Sequence, residues 1–426
     1  MLKNLNKIIR IITTQGLQTL INRIETALPI RIKQLKLVIL TLYKWNKINI
    51  SIKEIIDTAN CDFIDIMDVS FGWTLNLFQR PQHMAQQLAE QNVLIFYGMN
   101  ILESDKMTYP VHKLKKNLYI LDLMNPIVRN ILQHAISISS IKSVYHVYST
   151  NTQYSYNNLL RNQNKHLIVY EYIDSIKLSK DTMVQKRHYK ILNDNKICMV
   201  VTADKLREEV TEAKHKNYIM VTNGTDFNHW YNLTRKDCPQ IMEPFMSKEK
   251  IIIGYYGALT HDWFDYELIT KIAKQNRKYL ICLIGPFNYI GPSRESSKKY
   301  LDALKTLDNV LLIDTVAYME LPMYAKYFDI CIIPFKINDI TLCTSPVKLF
   351  EYLAMGKPIV TTKMPECYKY NTVKVAENHE HFINLIEKCI NLIKNDEFSL
   401  KQIEIARQNS WCFKSLEYKK YIISRL

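Results

Sequence analysis

The sequence predicts an α/β protein with two parallel sheets flanked by helices, behind a basic helical N-terminal segment. Three observations lead there. From residue 61 onward, short continuous apolar runs alternate with stretches of helical spacing, which means parallel strands covered on both faces. Glycine is scarce, 9 of 426 residues against a usual share of about 7%. The glycines that remain, such as Gly98, Gly224, Gly257, Gly285 and Gly356, follow apolar runs or close helices, where a side chain does not fit. Finally, the alternation stops between Asn228 and Lys250 and then restarts.

The length leaves room for two domains of about 100 to 200 residues each. Hydrophobic residues at 47% and charged residues at 23% exclude wholesale disorder. The nine cysteines form no C-x-x-C pair, and Cys198, Cys282 and Cys331 lie inside apolar runs. They read as small buried hydrophobes of a reducing compartment rather than a disulfide framework or a zinc site.

The net charge of +15 is uneven: residues 1–53 carry ten Lys/Arg against the single acid Glu25. Leu2, Leu5, Ile8, Ile9 and Ile12 share a helical face, and LKLVILTLYKW is a second apolar stretch. No run has the length of a membrane span and no cleavage site follows, so the expected location is cytoplasmic. Residues 1–60 are thus a basic helical segment with two open readings: a peripheral anchor on the anionic inner membrane face, or a helix packed on the body. A nucleic-acid partner is not expected, because the surplus charge sits at one end with no groove-reading motif.

In the first half the strand-like runs are DFIDIMDV, NVLIFYG, NLYILDL, SVYHVYS, HLIVYEYI, KICMVVT and NYIMVTNG. The second half has IIIGYYGA, YLICLIG, NVLLID, DICIIPF and KPIVTT, with helices expected at 265–276, 294–306, 318–327 and 346–355. This grammar gives two Rossmann-like domains facing across a cleft, 61–235 and 251–400, joined by a charged, proline-containing linker at 236–250 and followed by a terminal helical stretch at 401–426. Ligands are expected beyond the carboxyl ends of the strands.

The sharpest local signal is Thr344-Ser345-Pro346-Val347-Lys348-Leu349-Phe350-Glu351, running on to Gly356-Lys357-Pro358. Ser345 suits an N-cap, Pro346 the first helical position, and Gly356 the close. Lys348 then falls in the first turn, where a cation opposes the helix dipole unless an anion neutralises it. Amide donors, this Lys and the carboxylate of Glu351 on the same face suit a nucleotide, with the first two on a diphosphate and the Glu on ribose. A plain surface Lys-Glu pair is the competing reading.

The run FDICIIPFKINDITLCTSPVKLFEYLAMGKPIV resembles the nucleotide-sugar segment of GT-B fold glycosyltransferases, including bacterial group 1 enzymes of cell-surface polysaccharide synthesis. WTLNLFQRPQHMAQQLA, VYEYID, VTADKL with VTNGTDFNHW, and YYGALTHDWFDYELI match in the same order over about residues 62 to 415. The last helix, NSWCFKSLEYKKYI, is similar to the terminal helix that in this fold crosses back to the first domain. The resemblance implies transfer of a sugar from a nucleoside diphosphate sugar, which is a substrate rather than a cofactor, to a hydroxyl acceptor such as a saccharide or lipid-linked saccharide.

Under that resemblance Glu351 holds the ribose, Lys348 with Ser345, Thr344 and Pro346 faces the diphosphate, Gly257 admits the donor, and Gly285 turns the chain beside the base. Gly72 and Arg80 wall the site in the first domain, although Arg80 also fits an exposed helix-cap position. Asp174, at the end of HLIVYEYI, is the candidate base for the acceptor hydroxyl or equally a helix N-cap. Lys348 and Asp174 are the catalytic candidates. Two departures stand out: Cys343 occupies the position of a second carboxylate, and Ala258-Leu259-Thr260-His261-Asp262-Trp263 lacks the Arg and Lys of many members. No Asp-x-Asp site or histidine ligand spacing is found, so a metal-independent reaction is expected. A nucleotide-sugar epimerase and a non-catalytic nucleotide-binding scaffold are the rival functions.

Overall fold

The computed structural model describes residues 39, 41–69, 72–74, 78–99, 111–151, 154–179, 181–231, 233, 238–246, 250–286 and 294–426. The first sheet is built from β1 (Ile64–Asp68), β2 (Leu94–Met99), β3 (Val111–Lys115), β4 (Leu118–Asp122), β5 (Ser143–Tyr148), β6 (Leu167–Tyr172), β7 (Cys198–Val201) and β8 (Tyr218–Met220). The second contains β9 (Ile251–Tyr256), β10 (Tyr279–Ile284), β11 (Val310–Ile313), β12 (Ile330–Ile333), β13 (Ile359–Thr362) and β14 (Lys374–Ala376). The helices that shape the cleft and its supports are α1 (Trp45–Asp57), α2 (Arg80–Glu90), α3 (Pro126–Ser137), α4 (Tyr156–Asn162), α5 (Val347–Ala354), α6 (Asp396–Gln408) and α7 (Trp411–Ile423).

Strand order is β3-β4-β2-β1-β5-β6-β7-β8 in the first sheet and β11-β10-β9-β12-β13-β14 in the second. Only β3 runs antiparallel, against β4. Both sheets are thus doubly wound, with the order reversing between β1 and β5 and between β9 and β12. Such reversals leave a crevice at the carboxyl ends of the strands, because the connections diverge to opposite faces.

The strands form because Val, Ile, Leu and aromatic residues dominate runs buried on both faces, as the uninterrupted burial of β5, β7, β10 and β12 shows. Two short edge strands go beyond the sequence reading. β3 alternates Val111 and Leu114 with His112, Lys113 and Lys115, and only Val111 is buried. β14 is only three residues long.

Two segment boundaries need correction. The N-terminal segment does not stop short of the first domain, since Ile48, Ile52 and Ile56 of α1 are buried in that domain's core together with Val128, Leu132 and Ala135 of α3. Their spacing of four places them on one face of α1, and Thr41 Oγ1 accepts from Asn125 Nδ2 at 2.8 Å just ahead of it. Packing therefore claims residues 41–57, while the membrane reading of residues 1–38 lies outside the described residues. No helix among the described residues is long and apolar enough to cross a membrane.

The second correction concerns the linker. Trp230 and Met242 are fully buried in the second-domain core, so the chain has already changed domains before the proposed linker at 236–250. The crossing lies at Asn223–Asp226. There Thr225 N donates to Asn409 O at 3.1 Å and Trp411 N donates to Thr225 O at 2.9 Å, so the outgoing and returning chains pair as a β-bridge. Of the charged, proline-containing stretch, the described residues 238–246 follow the crossing instead of forming it. The return falls at Ser410: α6 still packs on the second domain through Ala406, whereas Trp411, Tyr418 and Ile422 of α7 fill the first-domain core beside Met84 and Leu88 of α2.

Replacing Ile52 with Ala is expected to cost about 2–5 kcal/mol in chemical denaturation, through lost transfer energy and the cavity left behind. A chain cut to begin at Cys61 uncovers the α3 face and is expected to aggregate in size-exclusion analysis.

Candidate functional site

Two strand-end turns of the second domain touch. Gly257 follows β9 with φ +136°, a conformation that L side chains rarely adopt, and a Cβ on Gly285 would stand 2.0 Å from Gly257 O. Gly257 N donates to Ile284 O at 2.8 Å. Glycine is required at both positions, by conformation at Gly257 and by close approach at Gly285.

Lys348 reaches this turn from α5. A Cβ on Gly257 would lie 3.4 Å from Lys348 Nζ, and the ammonium sits 4.9 Å from the Phe335 ring centre and 5.5 Å from that of Tyr255. It makes no ion pair among the described residues. Burial pushes its pKa down to about 8, with the charge of Glu351 pulling the other way. A half-buried cation with aromatic faces beside it, against a bare backbone turn, is suited to an anion.

Glu351, one turn on, is buried and accepts from Tyr256 Oη at 2.7 Å. Burial raises its pKa to about 7 against that hydrogen bond and the Lys348 charge. Tyr256 stacks on Trp230 with ring centres 5.2 Å apart, and Trp230 Nε1 donates to Tyr318 Oη at 3.1 Å. Tyr318 in turn stacks on Phe78 of the first domain at 5.7 Å. An aromatic ladder therefore runs from Glu351 to the opposite domain.

Residues 250–395 match the family described as Glycosyl transferases group 1. Over those residues the second domain is similar to group 1 glycosyl transferases. The chain is also 28% identical over 218 residues to TuaH of Bacillus subtilis, named as a teichuronic acid biosynthesis glycosyltransferase; the match covers 49% of this chain and 52% of TuaH, about half of each. Among solved structures, sucrose-phosphate synthase from Thermosynechococcus elongatus superposes with a TM-score of 0.65 at 12% identity, covering 85% of this chain and 98% of that one. Anabaena HepE in complex with UDP gives 0.62 at 13% identity, covering 85% and 100%. The fold is GT-B.

In the second domain the start of α5 differs from the expectation. Pro346 is itself the N-cap and offers no side-chain cap, and the helix begins at Val347. Ser345 is buried and engaged elsewhere: its Oγ accepts from Asn223 N at 3.3 Å and its carbonyl from Asn223 Nδ2 at 2.6 Å. Thr344 Oγ1 donates to Ile340 O at 2.8 Å. These two hydroxyls fasten the loop to the first domain and to its own preceding turn. Cys343, at the position of a second carboxylate, packs on the first-domain core.

The loop after β9 lacks cations but is held by side chains that the sequence reading passed over. Tyr255 Oη and Trp263 Nε1 each donate to Ala258 O at 3.3 Å, Tyr266 Oη donates to Leu259 O, and Lys336 Nζ donates to His261 O at 2.7 Å. Among the described residues no group of three or more His, Cys, Asp or Glu could hold a metal ion.

Arg80 is neither an exposed cap nor free to meet a ligand. It is buried, with Nε 2.8 Å from Glu171 Oε2 and Nη2 3.2 Å from Oε1, and Nη1 donates to Thr222 O at 3.0 Å and to Asn223 Oδ1 at 3.3 Å. Glu171 lies 3.5 Å from His146 Nε2, and His146 Nδ1 lies 3.4 Å from Asp65 Oδ2, which also accepts from Tyr418 Oη at 2.8 Å. Gly72 is buried in the loop between β1 and α2, beside Trp73, whose carbonyl accepts from Gln82. Asp174, two residues beyond β6, is exposed, yet the atoms packed around its carboxyl push its pKa up. It caps no helix; the short turn that follows starts from Ser175.

Burial would lower the His146 pKa, but Asp65 and Glu171 outweigh it and hold it at about 9, above its ordinary 6.5. Burial would raise that of Glu171, but Arg80 and His146 hold it at about 2, below its ordinary 4.5. The raised His contributes stability that is complete below pH 6.5 and lost as pH rises through about 9; the depressed Glu contributes stability that is complete above pH 4.5 and lost as pH falls through about 2. Melting temperature is therefore expected to peak between pH 4.5 and 6.5, and His146→Gln to flatten the alkaline limb. Arg80→Ala, which strands Glu171, is expected to cost about 3–5 kcal/mol in denaturant titration.

Proposed function

We propose that the protein transfers a sugar from a nucleoside diphosphate sugar to a saccharide or lipid-linked saccharide acceptor in cell-surface polysaccharide synthesis. The observation that carries this reading is the unpaired Lys348 ammonium at the Gly257 turn. It lies at the switch point between β9 and β12 of a group 1 domain. In a GT-B relative of known structure, HepE, UDP-glucose is the bound ligand, which makes it the first donor to try.

The donor lies with its diphosphate on Lys348 and the first amides of α5, and with its ribose toward Glu351. As the glycosidic C–O bond to the β-phosphate breaks, negative charge grows on the leaving oxygen. A cation in a site of reduced dielectric stabilises that growth more than it stabilises the ground state. The acceptor hydroxyl approaches from the first domain, where Asp174, with its raised pKa, takes the proton. The reaction draws on no metal.

Lys348→Ala is expected to lower kcat/KM with UDP-glucose by about 100-fold to 1,000-fold and to leave the thermal midpoint close to that of the parent, because the Lys has no ion-pair partner to strand among the described residues. Wild-type activity in that variant overturns the reading. Since the ammonium titrates at about 8, UDP affinity measured by calorimetry should weaken as pH rises through that value. Glu351→Gln should weaken UDP and UDP-glucose alike, since ribose contact is common to both.

A further inference from the structure

The first sheet has its own switch point, between β1 and β5, and a cavity of about 430 Å³ opens there. Asp68 at the end of β1, Tyr145 of β5 and Met124 beyond β4 form its inner wall, and α3 and α4 form its sides. This carboxyl-end edge of the first sheet also carries Asp174 and Asn223, and it meets the second domain through the Asn223–Ser345 bonds.

The one carboxylate among the described residues that line the cavity is already engaged: Asp68 accepts from Tyr145 Oη at 2.7 Å and from Asn151 Nδ2 at 3.2 Å. Burial raises its pKa, against those bonds and the charge of Arg129. Arg129 also feels Asp122, whose carboxyl burial pushes up to about 6. Arg129 of α3, Arg161 of α4 and Lys165 just beyond it also line the cavity, and none of the three makes an ion pair among the described residues. Gln133, which donates to Asn162 Oδ1 at 3.0 Å, and Asn158 put side-chain amides between them.

Single exposed cations are ordinary solvated groups. Three that converge on one concavity with amides between them are matched to a polyhydroxylated anion, the amides bonding hydroxyls and the guanidinium forks a carboxylate or phosphate. We infer that this crevice seats the acceptor and that the acceptor is an anionic saccharide bearing a carboxylate or a phosphate. The inference rests on the transferase reading for its role, while its chemistry rests on the crevice alone.

The test is calorimetry on the full chain with three probes: a short oligogalacturonate, glucose 6-phosphate and neutral cellobiose. At least one anion should bind about tenfold or more tighter than cellobiose, and the tighter of the two names the source of the charge. Arg161→Gln and Lys165→Gln, at exposed positions that do not threaten folding, should each weaken that anion about tenfold and leave UDP-glucose affinity unchanged. If neither anion outbinds cellobiose, or both variants bind like the parent, the inference is overturned. If the anion binds and tracks the two cations while UDP-glucose does not bind at all, the crevice stands and the donor reading falls.

Discussion

The two domains are registered by a chain of buried charge: Asp65, His146, Glu171 and Arg80, closed at one end by Tyr418 and at the other by Thr222 and Asn223. Ions removed from water cost several kcal/mol each unless their hydrogen-bonding capacity is met by partners. Each member here has partners on different elements, so no element can shift without exposing a charge to a poor solvent. Asn223 carries the constraint across the cleft, since its side chain accepts from Arg80 and donates to Ser345. The start of α5, and with it Lys348, is therefore aimed by a network whose centre lies under the first sheet.

On the second domain the same logic is carried by shape. The Gly257 and Gly285 turns meet at a separation that admits no Cβ, and Tyr255, Trp263, Tyr266 and Lys336 cap the carbonyls of the loop between β9 and its helix. The backbone there is preorganised, and the desolvated Lys348 ammonium stands beside it. Desolvation is also what brings the Lys348 and Glu351 pKa values close to neutrality, so this pair responds to pH where ordinary Lys and Glu do not.

Much of this was legible in the amino-acid string. The strands with long apolar runs, the helix bearing Lys348 and Glu351, and the glycines at Gly257 and Gly285 follow from local physics: propensity, periodicity and steric permission. What was not legible depends on distant partners. Arg80 looks like a surface cation until Glu171, 91 residues away, is seen beside it. Ser345 looks like a cap until Asn223 takes its oxygens. The charged stretch at 234–249 looks like a linker because composition reports exposure, whereas the true crossing at Asn223–Asp226 is marked only by its bonds to Asn409 and Trp411. β3 and β14 are short edges, where little burial leaves little pattern.

The paired crossing at Thr225 and Ser410 makes the second domain a chain insertion inside the first. Trp411, Tyr418 and Ile422 complete the first-domain core, and Asp65 meets Tyr418 across 353 residues. During synthesis the first domain therefore emerges without its last wall, and it must wait, partly assembled, while the whole second domain is made. Non-local closure of this kind is slow and leaves apolar surface bare for its duration. The usual order, in which the leading domain folds while the trailing one is translated, is reversed here: the domain made second is the first that can finish.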